Sequence, residues 1–327
     1  MRERVSDRPY EYNGSGDNDM RNGKWVKGLA LAACIGMFLV LLMGATVTQT
    51  EAGRGCGDDW PLCNGKFVPD YTITSIIEYS HRVVSAIVGL LVLGAAIAVF
   101  ARVRQTGPRV YASGALFFTV LQAGLGAAQV MNPQSDAILA LHFGFSLLAF
   151  TCTLLTVTSV GAYYRGERHA EARTPLSGRY RAAVWLTTVY SYIVVYTGAY
   201  TSHTDSGGGC AGFPLCNGQI VPDALEGATA VAFTHRTAAY ILFAAVLLLA
   251  LYTRRAYATH RDIYGGARWA LVLVAAQVLS GALLMALMGT GSYVIATLLH
   301  TMIISVLFAV LSYLSITVWG AGRAARR

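Results

Sequence analysis

The sequence predicts an all-α polytopic membrane protein, with eight transmembrane helices arranged as two pseudo-symmetric four-helix bundles. Of its 327 residues, 55% are apolar and 13% are charged, about half the charged fraction of a soluble globular domain. Apolar stretches of roughly 20 residues, long enough to cross a hydrocarbon core as a helix, recur eight times. The second half of the chain also repeats the first at an offset of 154 positions.

The first 24 residues are polar and mixed in charge; they are expected to form a disordered tail and, lacking an early apolar core, not a signal peptide. Spans follow at residues 29–48, 75–100, 110–131 and 137–160, then at 180–202, 228–252, 268–289 and 293–319. Basic residues orient them, because Lys and Arg in short loops stay on the cytoplasmic side. Twenty-one of the 25 lie in the tail, after spans two, four and six, and after span eight. Only Arg54 and Lys66 lie in the opposite loops, while Arg82 and Arg236 each follow a histidine inside a span. The expectation is a multi-pass protein of the plasma membrane, with lipid as its surroundings and both termini cytoplasmic. The net charge of +8 then reflects topology and calls for no nucleic acid.

At the 154-residue offset, Gly44-Ala45 falls on Gly198-Ala199, Thr50 on Thr204, Cys56 on Cys210 and His81 on His235. After a one-residue slip, Pro61-Leu62-Cys63-Asn64-Gly65 matches Pro214-Leu215-Cys216-Asn217-Gly218. Gln122 and Gly126 match Gln277 and Gly281, and His142 matches His300. A four-helix unit thus occurs twice, and its even number of spans makes the copies parallel, related by an axis along the membrane normal. The expected division is a tail over 1–24, a first bundle over 25–165 and a second over 166–327.

His81, His142, His235 and His300 each fall within about two turns of the same end of their spans. Each bundle can therefore point two imidazoles at one another at one depth, as bis-histidine ligation of a haem within a bundle requires. A single intramembrane histidine would more simply bond a neighbouring carbonyl or hydroxyl; four in matched register point to iron ligands. Zinc fits less well, since a closed site wants four N or S ligands. His169 and His260 lie in loops and are expected to be solvated. His203, at the outer mouth in register with Gln49, is a candidate propionate contact, as are Arg82 and Arg236.

Glu78 precedes His81 by three residues on roughly the same helix face, whereas the matching residue in the second half is Ala232. A carboxylate at this depth is costly unless it is used. It is either an ion-pair partner of Arg82 or a group serving chemistry in the first half alone. Cys56 with Cys63 and Cys210 with Cys216 lie close together in outer loops, where two near cysteines form disulfides, as loop staples or with a redox or haem-handover role. Cys34 and Cys152, inside spans, read as buried thiols.

The motifs Cys56-Gly-Asp-Asp-Trp-Pro-Leu-Cys63, Glu78-Tyr79-Ser80-His81-Arg82, Thr234-His235-Arg236 and Leu299-His300 are similar to those of the haem A synthases. From about residue 28 to 319 the chain resembles that family, with both cysteine pairs and all four histidines in place; the first 24 residues have no counterpart. The resemblance implies oxidation of a ring methyl of haem O to the formyl group of haem A, by successive monooxygenations and loss of water from a geminal diol. It implies that His81 and His142 flank the substrate haem, that Glu78 supports the chemistry, and that His235 and His300 bind the iron of a haem b. Oxygen comes from molecular oxygen or water. A haem O synthase is the expected donor, the electron donor or acceptor is unidentified, and a homo-oligomer is left open. An electron-transfer cytochrome would share the histidines without explaining Glu78. A membrane thiol oxidoreductase would explain the cysteines and leave the histidines superfluous, and neither pair is a C-x-x-C motif.

Overall fold

The structure, a computed structural model, describes residues 16–69, 71–132, 135–165 and 176–324. Eight long helices follow in order: α1 (Gly16–Gln49), α2 (Ile73–Arg102), α3 (Thr106–Met131), α4 (Asp136–Tyr164), α5 (Gly178–His203), α6 (Gly227–Ala256), α7 (Arg261–Leu287) and α8 (Tyr293–Ala324). Each contains a segment long and apolar enough to cross a membrane.

The helices outrun the apolar stretches that define them. α1 starts at Gly16, so residues 16–24 of the expected tail are helical, while 1–15 lie outside the described residues. Once nucleated, a helix gains one hydrogen bond per added residue, and no proline stands between Pro9 and Pro61 to stop it. α7 likewise starts at Arg261 instead of 268 and ends at Leu287, just before Gly289 turns the chain at φ 77°. The expected boundary between halves, and His169 with it, falls in 166–175, outside the described residues. Side-chain caps start two helices: Thr72 accepts from the Ser75 N–H of α2 and Ser177 from the Tyr180 N–H of α5, satisfying donors that have no partner within the helix.

α1 to α4 close one ring of neighbours and α5 to α8 another, and the rings meet through α1, α4, α5 and α8. Lipid provides no hydrophobic drive between helices, so close van der Waals contact and interhelical hydrogen bonds hold the bundles. Buried Ala95, Ala96, Ala98, Ala112 and Ala115 permit that approach in the first bundle. In the second, Thr188 and Ser315 hydroxyls meet at 2.8 Å, as do those of Tyr180 and Thr253. The repeat extends into the packing: Phe38 against Phe150 at 5.2 Å is matched in register by Tyr192 against Phe308 at 5.6 Å, both tilted by 40°. One buried apolar cluster runs through both halves, from Ala33, Met37 and Leu147 to Val194, Leu242 and Leu307.

The repeated Cys-Asn-Gly segments build matching hairpins at one end of the bundles. Asn64 and Gly65 have φ of 51° and 74°, and Asn217 and Gly218 have 54° and 80°, the left-handed pair that a two-residue type I′ turn needs. Cys63 and Lys66 exchange backbone hydrogen bonds across one turn, and Cys216 and Gln219 across the other. Disulfides Cys56–Cys63 and Cys210–Cys216 close the loops, with Cα separations of 4.3 and 4.6 Å. Cys34 is a buried free thiol, and Cys152 is half-buried.

Candidate active site

All four histidines lie close to the end that carries the disulfide loops, each seated against a glycine of the preceding helix. A Cβ added at Gly44 would lie 3.4 Å from His81 Cε1, and at Gly126 3.8 Å from His142 Cε1. In the second half the distances are 2.7 Å from Gly198 to His235 and 3.5 Å from Gly281 to His300. Bare backbone at these positions lets an imidazole lie flat on its neighbour. His142 is within electrostatic reach of His81, and His300 of His235. Among the described residues no three His, Cys, Asp or Glu side chains converge; each site is a two-histidine arrangement.

Hydrogen bonding separates the halves. His235 Nδ1 lies 3.0 Å from Thr197 Oγ1, and that hydroxyl donates its one proton to the Val194 carbonyl at 2.8 Å. With that proton on the Val194 carbonyl, Thr197 accepts from a His235 ring that carries its proton on Nδ1. His300 repeats the logic: Ser280 Oγ donates to the Gln277 carbonyl at 2.9 Å and lies 2.8 Å from His300 Nδ1, while the Gln277 side-chain amide meets Nε2 at 2.8 Å. In the Nδ1–H tautomer each ring donates to its hydroxyl partner and presents the Nε2 lone pair. An outer-shell acceptor on Nδ1–H that leaves Nε2 for iron is how metal-binding histidines are oriented. The second-half residues fit a haem held by two imidazoles, with the Gln277 amide yielding its place at His300 Nε2.

In the first half those acceptors are gone. Met43 stands in register with Thr197 and Leu125 with Ser280. His81 Nδ1 is buried with no hydrogen-bond partner among the described residues. Gln122, the counterpart of Gln277, accepts instead from Ser146 at 2.9 Å. An orphaned buried imidazole nitrogen marks a pair that also fits a haem but is not oriented in advance for one.

Glu78 is buried at 3% exposure. Its Oε2 accepts the Cys56 backbone N–H at 2.8 Å and its Oε1 pairs with Arg82, so the carboxylate ties the first disulfide loop to α2. Arg82 also donates to the Asp59 and Leu62 carbonyls. Arg236 donates to those of Gly212 and Leu215 and, with Ala232 in place of a carboxylate, directly to the Cys210 carbonyl. Both guanidinium groups fasten loops. His203, on α5 of the second half, lies within electrostatic reach of His142 and Asp136, which puts it beside the first-half site. Thr197, Ser280 and the four glycines were not singled out as site residues from sequence. The signal for the hydroxyls is their replacement by Met43 and Leu125 in the repeat.

An eight-helix membrane protein with a duplicated bundle and one facing histidine pair per copy is the class that fold and site define. The family model of the COX15-CtaA cytochrome oxidase assembly proteins matches residues 27–75 and 70–312, and the chain belongs to that family. It is 44% identical over 309 residues to the heme A synthase of Symbiobacterium thermophilum, covering 92% of this chain and 97% of the relative. Identity to the heme A synthase of Shouchella clausii is 38% over 293 residues, covering 89% of this chain and 96% of the relative. The heme A synthase of Geobacillus kaustophilus is 39% identical over 297 residues, covering 90% of each.

Proposed function

We propose that this protein is a haem A synthase, a membrane oxidoreductase that converts a ring methyl of haem O to the formyl group of haem A. The first bundle holds the substrate through His81 and His142, and the second holds a resident haem b through His235 and His300. The observation that carries this division is the contrast in hydrogen bonding. A resident group gains from ligands fixed in one tautomer, whereas a substrate that must leave as product is better served by less constrained ones. The bound haem b supplies redox chemistry. Around the substrate the chain contributes Glu78, a buried carboxylate held from two sides and kept in one orientation beside His81, where it can accept a proton or balance developing charge. His203 and Arg82 stand at the same mouth for the propionates. The oxygen atom comes from molecular oxygen or water, and electrons pass through a partner.

The basic residues support an orientation with both termini cytoplasmic and the disulfide loops outside. They also support a tail, first-bundle and second-bundle division near residues 1–24, 25–165 and 166–327. A haem O synthase is the natural donor to the first site.

The test is the haem content of membranes that supply haem O. Wild-type protein should accumulate haem A. Glu78→Gln, which removes charge and keeps shape, should retain the fold and haem b while leaving haem O or its alcohol unconverted, and His81→Ala should leave haem O. Wild-type yields of haem A from Glu78→Gln would reduce Glu78 to the loop fastener of α2. The same yields from His81→Ala would remove the substrate site from the first half.

A further inference from the structure

Below His81, the ridge of α2 that faces α3 differs from its copy in the second half. One turn along, about 6 Å, Ser85 Oγ is buried with no hydrogen-bond partner among the described residues. Other helix hydroxyls, those of Thr156, Ser159, Thr188 and Ser191, donate to carbonyls three or four residues back. A further turn along lies Gly89, where an added Cβ would have Thr119 of α3 as its neighbour at 3.9 Å. Beyond it an apolar groove of about 770 Å³ opens between α2 and α3, lined by Leu93, Ala96, Ile97, Phe117 and Val120 among others. Ser85, Gly89, Leu93 and Ile97 are spaced by four, so they form one continuous ridge. In the second half the same register reads Ala239 for Ser85 and Phe243 for Gly89, with Arg254 and Arg268 where the far end of the groove has Phe100 and Ser113. Phe243 packs against the central apolar cluster.

We infer that Ser85, Gly89 and the α2–α3 groove form the subsite for the hydroxyalkyl isoprenoid tail of the substrate haem. The inference rests on the reading of His81 and His142 as the substrate ligands. Haem O differs from haem B in carrying a hydroxyethylfarnesyl chain where haem B has a vinyl group, with the hydroxyl on the carbon next to the ring. In a dry site that hydroxyl needs a partner, and Ser85 presents an unused one a turn from the ligand. The rest of the chain is apolar and matches the groove, and Gly89 puts no side chain between Ser85 and the groove, where the second half carries Phe243. Bilayer acyl chains would fill an apolar groove too, but they bring no hydroxyl to Ser85. Anchoring the tail also stops the macrocycle from turning about the axis between His81 and His142. Ser85 is therefore a positioning residue that decides which ring methyl faces Glu78.

The experiment uses full-length protein carrying one haem b per chain, titrated with haem O or with further haem B and followed by the Soret band, with His81→Ala as the baseline. Wild-type protein should bind haem O more tightly than haem B. Ser85→Ala should weaken haem O about three- to tenfold, the worth of one neutral hydrogen bond, and leave haem B unchanged, while Ser85→Thr keeps the preference. Gly89→Phe, copying the second half, should weaken haem O about tenfold or more by filling the passage and spare haem B. Equal losses for both haems, or unchanged haem O affinity in Ser85→Ala and Gly89→Phe, would overturn the tail subsite. Wild-type binding of haem O by His81→Ala would overturn the ligand reading beneath it, and the subsite with it.

Discussion

In the second bundle each histidine has a hydroxyl partner at Nδ1, Thr197 for His235 and Ser280 for His300; in the first, the same register holds Met43 and Leu125. The backbone plan, the loops, the glycine seats and the ligand positions are otherwise duplicated. Two sites built from one template have therefore diverged in what surrounds the ligands, not in the ligands. Outer-shell hydrogen bonds typically change metal affinity by about 10- to 100-fold, enough to separate a haem that stays from one that is exchanged. The carboxylate diverges in the opposite sense, present as Glu78 in the half where the Nδ1 of His81 has no partner among the described residues. On the proposed reading, pre-orientation and reactivity belong to different copies.

The largest expected effect is loss of a ligand from the constrained pair. His300→Ala should abolish the low-spin bis-histidine spectrum of haem b, while His142→Ala should keep it. The reverse pattern would exchange the roles of the two bundles. Next, Thr197→Val combined with Ser280→Ala should speed transfer of haem b to an apoprotein acceptor by about 10- to 100-fold, with Met43→Val and Leu125→Ala leaving that rate unchanged. Equal effects in both halves would erase the comparison. The smallest effect sharpens it: a Cβ at Gly198 would sit 2.7 Å from the His235 ring, against 3.4 Å between Gly44 and His81. Gly198→Ala should cost about 1–3 kcal/mol in thermal unfolding and Gly44→Ala about 1 kcal/mol or less. A larger loss from Gly44→Ala would place the tighter seat in the wrong half.

Much of this was legible in the sequence because it is written in periodicity and repetition. Eight apolar stretches became eight helices, Cys-Asn-Gly became a type I′ hairpin twice, and each of the four histidines rests against a glycine of the preceding helix. What escaped depends on helix rotation and loop path. Whether Thr197 meets His235 is decided by how α5 and α6 face one another, which an apolar pattern on a lipid-exposed helix constrains weakly. Glu78 stood out through Ala232, but its hydrogen bond from the Cys56 N–H follows from the fold of the loop above it. Arg82 and Arg236 donate to loop carbonyls, partners set by the path of the loops and not by the pattern of their helices. The helical residues 16–24 escaped because a polar segment contiguous with a long helix extends it as readily as it frays.

Duplication has not left two separable modules. His203 belongs to α5 yet lies within electrostatic reach of His142, and the apolar cluster around Met37 and Leu147 continues into Val194 and Leu307. Cutting the chain between α4 and α5 would strip one wall from the first site and expose the seam of the second. The two repeats behave as the two subunits of a heterodimer written on a single chain, where each half can specialise because its partner is always attached.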